Sequence, residues 1–298
     1  MLIKNKIRRW FFKSVLFEHE KSNLLLGKLM SRQVKTLPPS TPLQDAEFRV
    51  FSQWGDDGII QFLIHHALIS NRYFIEFGVE DYTECNTRFL LFNDNWSGLI
   101  MDGSPTFMKK VQKSDLYWRY DLRARAELIT AENINEIFKE EEVPHQPGLL
   151  HIDIDGMDYW VWKSLDRIRP NVVVAEYNSV FGFDRAITVP YQADFYRTRA
   201  HYSNLYWGAS FKALCFLAKE KGYAFVGCNQ AGNNAYFVDR ACLGPLQELS
   251  SDAGYSSSKY RESRNQKGKL TYLSGSERLG AIQGLQVWNV ESSAMETL

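Results

Sequence analysis

Carboxylates stand at the ends of four short apolar runs in this chain, and side chains of this type bind cations, accept hydrogen bonds from hydroxyls and remove protons. The four residues are Glu76, Asp102, Asp155 and Glu176. Each run is nearly continuous in apolar residues rather than alternating, which is typical of a parallel strand buried on both faces. Open α/β sheets bind ligands at the carboxyl edge of such strands. We therefore expect a ligand with hydroxyls or positive charge, a metal ion, or both at this edge.

The elements that position these acids alternate between strand and helix. The apolar runs predict strands over 73–78, 98–102, 149–155 and 172–176, with a further strand over 126–130. Helices are predicted over 86–93, 131–141 and 158–166. A long helix over 203–221 and a hairpin of strands 223–228 and 234–239 follow. This alternation predicts right-handed crossovers and a parallel sheet flanked by helices.

Shifts in composition divide the chain of 298 residues into three parts. Residues 1–44 read as a basic helical extension that ends in a proline-rich linker. Residues 45–246 carry the strand and helix pattern of an α/β domain. Residues 247–298 are polar and form a C-terminal extension.

The overall charge and the cysteines narrow the class of protein. The chain has 35 basic and 35 acidic side chains, so its formal net charge is zero and gives no support to a nucleic-acid partner. The four cysteines form no C-x-x-C pair, which argues against a structural zinc site. Their number and scatter are typical of a reducing compartment, and we expect a cytoplasmic protein.

The first residues suggest contact with a membrane or a partner. Residues 1–13 are basic and aromatic but lack a sustained apolar core and a small-residue cleavage site, so they make a poor secretory signal. No apolar run is long enough to span a bilayer. The segment reads as a basic amphipathic helix, which suits peripheral contact with the inner face of a membrane. The alternative is a helix packed on the body of the protein or on a partner chain, and an oligomer stays open.

The segment 151–158, with the sequence HIDIDGMD, admits three interpretations. A D-x-D-G phosphatase motif would make Asp153 the nucleophile, but four predicted elements precede it and no acidic pair follows at a strand end. A calcium loop would need the full spacing and terminal glutamate of an EF-hand, which are absent. The third interpretation is a strand end, where alternation puts Asp153, Asp155 and His151 on one face.

Hard oxygen ligands are predicted to meet at the ends of the fourth and fifth strands. Asp155, Glu176 and Asn178 would suit Mg²⁺ or another divalent cation. A metal there would lower the pKa of a bound hydroxyl. The alternative is a hydrogen-bonded polar cluster without a metal. His151 and His201 are candidate general bases, because histidine titrates near neutrality.

The turn after the first strand falls where a nucleotide-binding turn would lie. Gly78 there permits close approach of the backbone to a ligand. The loop has neither G-x-G-x-x-G nor G-x-x-x-x-G-K-[ST], so it carries neither a dinucleotide fingerprint nor a P-loop. Asp102, at the end of the second strand, can accept hydrogen bonds from both hydroxyls of a ribose. Its alternative role is that of a helix cap or loop carboxylate.

These residues together resemble class I S-adenosylmethionine-dependent methyltransferases, and within them the FkbM-type group in the branch found among surface-polysaccharide genes. The resemblance covers about residues 50 to 240. Its segments are 52–58 (SQWGDDG), 76–78 (EFG) with 86–87 (NT), 130–135 (TAENIN), 152–156 (IDIDG) with 158–159 (DY), and 176–179 (EYNS). The set is moderately specific, whereas no single member is.

The resemblance implies a Rossmann-like, seven-stranded sheet in the order 3-2-1-4-5-7-6. It implies that the methionine part of the cofactor lies near Glu76 and Gly78, with its carboxylate reaching Gln53 or Asn86. One departure from the family pattern is that the glycine-rich turn keeps only Gly78.

The resemblance also implies places for the rest of the cofactor and for a metal. The ribose would lie on Asp102 and the adenine beside Asp121. Asp155, Glu176 and Asn178 occupy places like those of the metal ligands in Mg²⁺-dependent catechol-type O-methyltransferases.

The expected activity is O-methylation of a sugar hydroxyl in a surface polysaccharide or glycan precursor. The cofactor would be S-adenosylmethionine, with Mg²⁺ as a candidate metal, and the acceptor a glycan rather than a nucleic acid. Asp155 and His201 are the candidate catalytic residues. The alternative is a binding or assembly module at the membrane surface that keeps the methyltransferase fold without the reaction.

Overall fold

A computed structural model describes residues 19–298. The helices are α1 (19–34), α2 (Asp56–His66), α3 (Arg88–Asp94), α4 (Pro105–Gln112), α5 (Asp115–Arg119), α6 (Ile134–Glu140), α7 (Asp158–Ser164), α8 (Arg197–Ala200), α9 (Phe211–Glu220), α10 (Ser251–Gly254) and α11 (Ser276–Gly280). The strands are β1 (Tyr73–Phe77), β2 (Ser97–Asp102), β3 (Leu122–Ala126), β4 (Leu149–Ile152), β5 (Val172–Glu176), β6 (Ile187–Thr188), β7 (Tyr223–Cys228), β8 (Asn234–Asp239), β9 (Gln286–Asn289) and β10 (Ala294–Thr297). Short 3₁₀ turns span Leu43–Ala46, Ser179–Phe181 and Arg240–Cys242.

The main sheet has seven strands in the order β3-β2-β1-β4-β5-β8-β7. Strands β1 to β5 are parallel, and β8 pairs antiparallel with β5. Strand β7 pairs antiparallel with β8 and so runs in the same direction as β1 to β5. The short strand β6 lies outside this sheet, so the order is the predicted 3-2-1-4-5-7-6 once β6 is left out of the numbering. The predicted α/β fold and strand order are confirmed. The strand order reverses between β1 and β4, where open sheets of this kind have their ligand crevice.

Helices and apolar side chains cover both faces of the sheet. One face packs against Ile134, Trp162 and Phe211, from α6, α7 and α9. The opposite face packs against residues of α2, α3 and α4, such as Phe62 and Leu90. This coverage explains why β1, β4 and β5 are nearly continuous in apolar residues, as buried parallel strands are. Among residues 19–298 there is no helix with the length and apolarity needed to cross a bilayer.

Two predicted elements are displaced. The third strand is Leu122–Ala126 rather than 126–130, because it is an edge strand with alternating burial in which Arg123 and Arg125 pair with acidic residues at the end of α6. The long helix predicted over 203–221 begins only at Phe211. Asn204 and Gly208 adopt positive φ before it, and the Ser210 hydroxyl accepts a hydrogen bond from a backbone N–H of its first turn.

The polar C-terminal extension folds back onto the domain. Strands β9 and β10 form a three-stranded sheet with β6, in the order β10-β9-β6. Ile282, Val287 and Val290 are buried in the same apolar cluster as one face of the main sheet. Residues 255–264 then pass over the carboxyl edge of that sheet, held there by bonds to Tyr177 and Ser203.

Candidate active site

A cavity of about 620 Å³ opens at the carboxyl ends of β1, β4 and β5, next to the reversal in strand order. This size lies within the range of small-molecule and cofactor sites. Its lining is strongly acidic. The acidic residues are Asp56, Glu76, Glu80, Asp81, Glu84, Asp153, Asp155 and Glu176. Arg197 is the one lysine or arginine among the described lining residues.

Glu76, the fourth residue of β1, organises the floor of the cavity. It is 2% exposed and accepts hydrogen bonds from the backbone N–H groups of Asn86 and Thr87, at 2.8 and 3.0 Å, and from the Thr87 hydroxyl. The His151 ring on β4 lies 2.9 Å from the same carboxylate through Nδ1. These bonds tie the start of α3 to the ends of β1 and β4.

The buried Glu76–His151 pair shifts both pKa values. Burial raises the pKa of Glu76, but the hydrogen bond and charge of His151 outweigh it, so the net direction is downward. Burial lowers the pKa of His151, and the bond to Glu76 outweighs it, so the net direction is upward. The other ring nitrogen of His151 lies 3.1 Å from the Asn86 side-chain amide. Because both ring nitrogens have hydrogen-bond partners, His151 helps to hold the cavity floor in place and is not free to act as a general base.

Gly78 lets the loop after β1 pass close to the end of β4. Its φ is +69°, and an added Cβ would lie 1.8 Å from the Asp153 carbonyl oxygen. A side chain there is excluded both by the backbone conformation and by the contact. The missing side chain therefore faces protein backbone, while the glycine also lines the cavity.

Asp153 and Glu176 form a pair of carboxyls at the ends of β4 and β5. Burial, together with the neighbouring acids Asp155 and Asp158, raises the pKa of Asp153 to about 7, against the opposing charge of His151. Burial and the charge of Asp153 raise the pKa of Glu176 well above its ordinary value. Asp153 therefore changes charge near neutral pH, and its deprotonated form can accept a proton as a general base.

Asp155 lies at the mouth of the cavity in an ion pair. It is exposed, has a φ of +56°, and its carboxylate lies 2.8 Å from the Arg197 guanidinium. Arg197 also stacks over the Trp207 ring and reaches Glu262 at 3.4 Å. Asp155 thus positions Arg197 beside the acidic lining and is partly neutralised by it.

Asp56 anchors the far wall of the cavity from the first residue of α2. Its Oδ1 accepts hydrogen bonds from the amide nitrogens of Asn229 and Asn234, at 3.0 and 2.9 Å, and from the Tyr236 hydroxyl. These donors belong to the β7–β8 hairpin. The Asp56 side chain therefore fixes the N-terminus of α2 to the antiparallel end of the sheet.

Asp57, the second residue of α2, holds the loop that precedes this helix. Its Oδ2 accepts bonds from the N–H groups of Val50, Phe51 and Ser52, at 2.7 to 2.8 Å, and from the Ser52 hydroxyl. Burial outweighs these bonds and raises the pKa of Asp57 to about 6. This loop holds Gln53 and Trp54 in the cavity lining.

The C-terminal extension covers part of the cavity mouth. The Tyr260 ring stacks on Trp54, with centroids 5.8 Å apart and planes 7° from parallel. Arg278 is 6% exposed and donates to the Ser258 hydroxyl and carbonyl and to the Tyr260 carbonyl. Residues 255–264 therefore form a strap, held by Arg278, across the open side of the site.

The structure separates the residues predicted to hold cofactor into two groups. Gln53, Glu76, Gly78 and Asn86 line the cavity. Asp102 lies beyond its lining and accepts bonds from the N–H groups of Glu80 and Ser104, at 2.8 and 2.7 Å.

Two further predicted residues also lie off the cavity lining. Asp121 is exposed on the segment that precedes β3. The His201 ring, predicted as a base, binds the Ser203 hydroxyl at 2.7 Å, and burial lowers its pKa.

The predicted metal ligands do not fit a metal site. Asn178 uses its side-chain oxygen to cap the 3₁₀ turn after β5 at Val180, and donates its amide to the carbonyls of Leu205 and Trp207, at 2.9 Å each. It is 1% exposed and does not line the cavity. Within residues 19–298 no group of three His, Cys, Asp or Glu side chains is arranged to hold a metal ion. Asp155 and Glu176 remain cavity residues with other roles.

Several residues of the site escape sequence reasoning. Asp56, Asn234, Arg197 and Tyr260 reach the cavity from four distant parts of the chain. The asparagine-rich turn 229–234 is the one local sequence feature that points to the site. Its side-chain amides hydrogen-bond within the hairpin and to Asp56 of α2. The sequence predicts Asp153 at a strand end, with a phosphatase nucleophile as an alternative, and the structure places it in the cavity lining together with Glu176.

Comparison with known proteins gives only distant structural likenesses. No protein-family model matches the chain, and no curated protein matches it. The N-terminal domain of EvdMO1 with SAH bound has a TM-score of 0.41 at 10% identity, covering 70% of this chain and 93% of that chain. An O-methyltransferase from Bacillus cereus in complex with SAH has a TM-score of 0.40 at 12% identity, covering 73% and 90%. Likenesses this low carry no argument about the activity of this chain.

Proposed function

We propose that the protein is a cytoplasmic S-adenosylmethionine-dependent O-methyltransferase that acts on a sugar hydroxyl of a surface polysaccharide or glycan precursor. The observation that supports this most is the acidic cavity of about 620 Å³ at the reversal of a 3-2-1-4-5-7-6 sheet. Ligands of open α/β sheets bind at such a reversal. The FkbM-type resemblance of the sequence points to the same reaction.

The cavity fits a cofactor that carries positive charge. Glu76, Gly78, Gln53 and Asn86 form the side of the cavity next to β1. We assign the methionine part of the cofactor to this side, and the ribose to Asp102, whose two carboxylate oxygens keep free lone pairs beside their backbone bonds. S-adenosylmethionine, when bound, supplies an activated methyl group.

Asp153 is the side chain that best serves as base. It is half-buried, lines the cavity and has a pKa of about 7 because of burial and neighbouring acids. Its carboxylate would take the proton of the acceptor hydroxyl as that oxygen gains a bond to the methyl carbon and the bond from that carbon to the sulfonium sulfur breaks, which would leave the neutral demethylated product. Asp155 holds Arg197 in place beside it. His201, which lies off the cavity lining, has no part in this step.

Calorimetric titration with S-adenosylmethionine and its demethylated product tests the cofactor assignment. We expect micromolar binding of both ligands, unchanged when Mg²⁺ is added. A folded sample that binds neither ligand would overturn the enzyme proposal. Wild-type protein incubated with S-adenosylmethionine and a glycan extract should then form the demethylated product. Asp153→Asn should form none, whereas His201→Gln should keep turnover.

A second candidate is a binding module that keeps the fold without the reaction. It is favoured by the turn after β1, where Gly78 packs against the Asp153 backbone instead of belonging to a glycine-rich loop. Such a module would release no demethylated product from any glycan extract, even while binding the cofactor. That outcome separates it from the enzyme.

We also propose that α1 contacts an anionic membrane surface. Its outward side exposes Leu25, Leu26 and Leu29, at 65%, 60% and 60%, with Lys28 and Arg32 on the same helix. Apolar side chains flanked by cations suit the interface of an anionic bilayer. The predicted amphipathic helix over residues 1–13 lies outside the described residues.

A further inference from the structure

Three buried oxygen atoms in the cavity wall have no hydrogen-bond donor among the described residues. They are Asp56 Oδ2, Glu176 Oε2 and Asn234 Oδ1. Their residues are 1%, 9% and 3% exposed, and all three line the same cavity. Buried acceptors are normally paired, so a cluster of unpaired ones marks a place where another molecule supplies the donors.

The three residues are held as one unit. Glu176 on β5 and Asn234 on β8 are direct partners across the sheet, so their side chains lie on the same face. Asn234 donates its amide nitrogen to Asp56 at 2.9 Å. That bond fixes the orientation of the amide, because the reverse orientation would put its oxygen against a carboxylate oxygen. The Asn234 oxygen therefore faces away from Asp56.

Only one of the two carboxylate oxygens of Asp56 accepts hydrogen bonds from the described residues. Its Oδ1 takes all three local donors, from Asn229, Asn234 and Tyr236, while Oδ2 takes none. The protein thus stabilises Asp56 as a firmly placed acceptor and leaves its second oxygen for the cavity.

An aromatic surface lies on the same cavity. Trp54 lines it, is 38% exposed, and is held flat by Tyr260 of the strap. A flat indole packs against the apolar C–H face of a ring while keeping its own N–H at the edge. The combination of oriented acceptors and a flat aromatic surface matches a sugar ring, which has hydroxyl donors at its rim and C–H groups on its faces.

We propose that Asp56, Glu176 and Asn234 form a hydroxyl-binding subsite that, with Trp54, takes the sugar ring of the acceptor. This identification of the occupant rests on the proposed function, since it places the acceptor of that reaction. The Asp56 and Asn234 oxygens each accept a hydrogen bond from one hydroxyl of the ring, and the Glu176 carboxyl forms a hydrogen bond with a third. Ring hydroxyls supply the donors that these oxygens lack, and within residues 19–298 no group of three His, Cys, Asp or Glu side chains could hold a metal ion.

The subsite is tested by binding of methyl glycosides to the full chain in the presence of the demethylated cofactor product. The probes are methyl α-glucoside, methyl α-mannoside, methyl α-galactoside and methyl α-fucoside, followed by ligand-observed NMR and calorimetry. The variants are Asp56→Asn, which keeps Oδ1 for its three donors and puts an amide nitrogen in place of Oδ2, and Glu176→Ala. Asp184→Asn is the control, since it removes an acidic charge that is exposed and lies outside the cavity lining.

We expect at least one glycoside to bind wild type and the control, and to bind each variant roughly tenfold to a hundredfold more weakly, as for lost hydrogen bonds to charged groups. Affinity for the demethylated cofactor product should change less than twofold. If Asp56→Asn fails to fold, Glu176→Ala decides alone.

The subsite would be overturned if wild type bound no glycoside, or if the variants and the control had equal affinity. Binding that needs Mg²⁺ would also overturn it, in favour of a metal. If wild type bound a glycoside but not the demethylated cofactor product, the proposed reaction would be refuted and the subsite would stand.

Discussion

The proposed base, Asp153, would serve the reaction at a cost in stability. Its pKa is raised from 3.8 to about 7 in the folded protein, chiefly by burial. A raised carboxyl pKa means that folding favours the protonated form, so the folded state loses stability as the pH rises from about 4 to about 7. Above pH 7 the charged, half-buried carboxylate is the form that would act as the proposed base, and the same form costs stability.

We therefore expect Asp153→Asn to raise the free energy of unfolding at pH 8, by about 2 to 4 kcal/mol, and to leave it nearly unchanged at pH 4. The same variant should lose at least a hundredfold in methyl transfer. Urea unfolding at the two pH values measures the first effect and turnover the second.

The wild-type rate should rise as the pH increases towards 7 and then level off. A rate with no rise across pH 6 to 8, or an equal stability change at pH 4 and pH 8, would count against Asp153 as the titrating base. Asp184→Asn is a suitable control, because Asp184 is exposed and lies outside the cavity lining.

Glu76 is expected to matter for stability more than for the reaction. Glu76→Gln removes the charge that faces the His151 ring and puts an amide NH₂ in place of one carboxylate oxygen, so either the Thr87 donors or those of Asn86 and His151 lose their acceptor. Breaking a buried pair of this kind costs about 3 to 5 kcal/mol. We expect Glu76→Gln to lower the free energy of unfolding by that amount near pH 5.5.

The pH dependence of the Glu76→Gln effect follows from both partners. The lowered pKa of Glu76 gives stability that is present above pH 4.5 and lost as the pH falls through its folded value. The raised pKa of His151 gives stability that is present below pH 6.5 and lost as the pH rises through its folded value. The loss on substitution should therefore be smaller at pH 9, and denaturant curves with an equal loss at pH 5.5 and pH 9 would refute the charged pair.

At the scale of elements, Gly78 joins the ends of β1 and β4. Gly78→Ala would put a Cβ 1.8 Å from the Asp153 carbonyl oxygen at a φ of +69°. Either the strand ends separate or the loop shifts, and both alter the cavity. We expect a loss of about 2 to 4 kcal/mol in unfolding free energy, from strain at a positive-φ position together with overpacking.

Gly103→Ala is the matched control for Gly78→Ala. Gly103 follows β2, and a Cβ added there meets nothing within 4 Å. Thermal unfolding of the two variants side by side isolates the contact. Equal midpoints would mean that β1 and β4 do not approach as closely as described.

The strap over residues 255–264 depends on Arg278. Arg278→Met keeps much of the apolar stem but removes the donors to the Ser258 and Tyr260 groups. We expect faster amide hydrogen exchange in residues 255–264 and weaker glycoside binding, with exchange in β1 and β4 unchanged.

Arg261→Met is the control for the strap. Arg261 lies on the same segment but is exposed over the Tyr272 ring. Exchange in residues 255–264 that is equal in both variants would show that Arg278 does not hold the strap.

Sequence reasoning worked best where an element is defined by its own residues. Strands β1, β2, β4 and β5 and their terminal acids follow from apolar runs, because burial on both faces requires such runs. It did worse with β3, where alternation at a sheet edge weakens the signal, and with α9, whose start depends on the positive-φ residues Asn204 and Gly208.

The sequence alone could predict only some of the cavity-lining residues. Glu76 and Asn86 are near each other along the chain, and both line the cavity. Asp56 and Asn234 are separated by 178 residues and meet only because β8 lies beside β5. Local patterns cannot show such a meeting, and the unpaired oxygen atoms that carry the subsite are a property of the folded molecule alone.

For the whole molecule, a formal net charge of zero conceals an uneven distribution. Acidic side chains gather at the cavity, whereas α1 carries Lys28 and Arg32 beside exposed leucines. Gly27, Ser31 and Val34 on its inner side are buried, and the Ser31 hydroxyl donates to Gln61 at 2.6 Å. The orientation of α1 on the body is therefore fixed, and its leucines face outward.

The exposed leucines and cations of α1 would suit an enzyme that modifies membrane-linked glycans, and they predict binding to anionic membranes. We expect the protein to sediment with vesicles that contain anionic lipid and not with neutral phosphatidylcholine vesicles, with binding that weakens as salt is raised. Replacing Leu25, Leu26 and Leu29 together by serine should reduce binding at least tenfold, because about 1 kcal/mol or more of apolar burial is lost per leucine. Leu68→Ser is the control, since Leu68 is 61% exposed outside α1. Equal sedimentation of the triple variant and the control would show that α1 does not dock on membranes, and a salt-independent loss of self-association in the triple variant would assign the leucines to a second copy of the chain instead.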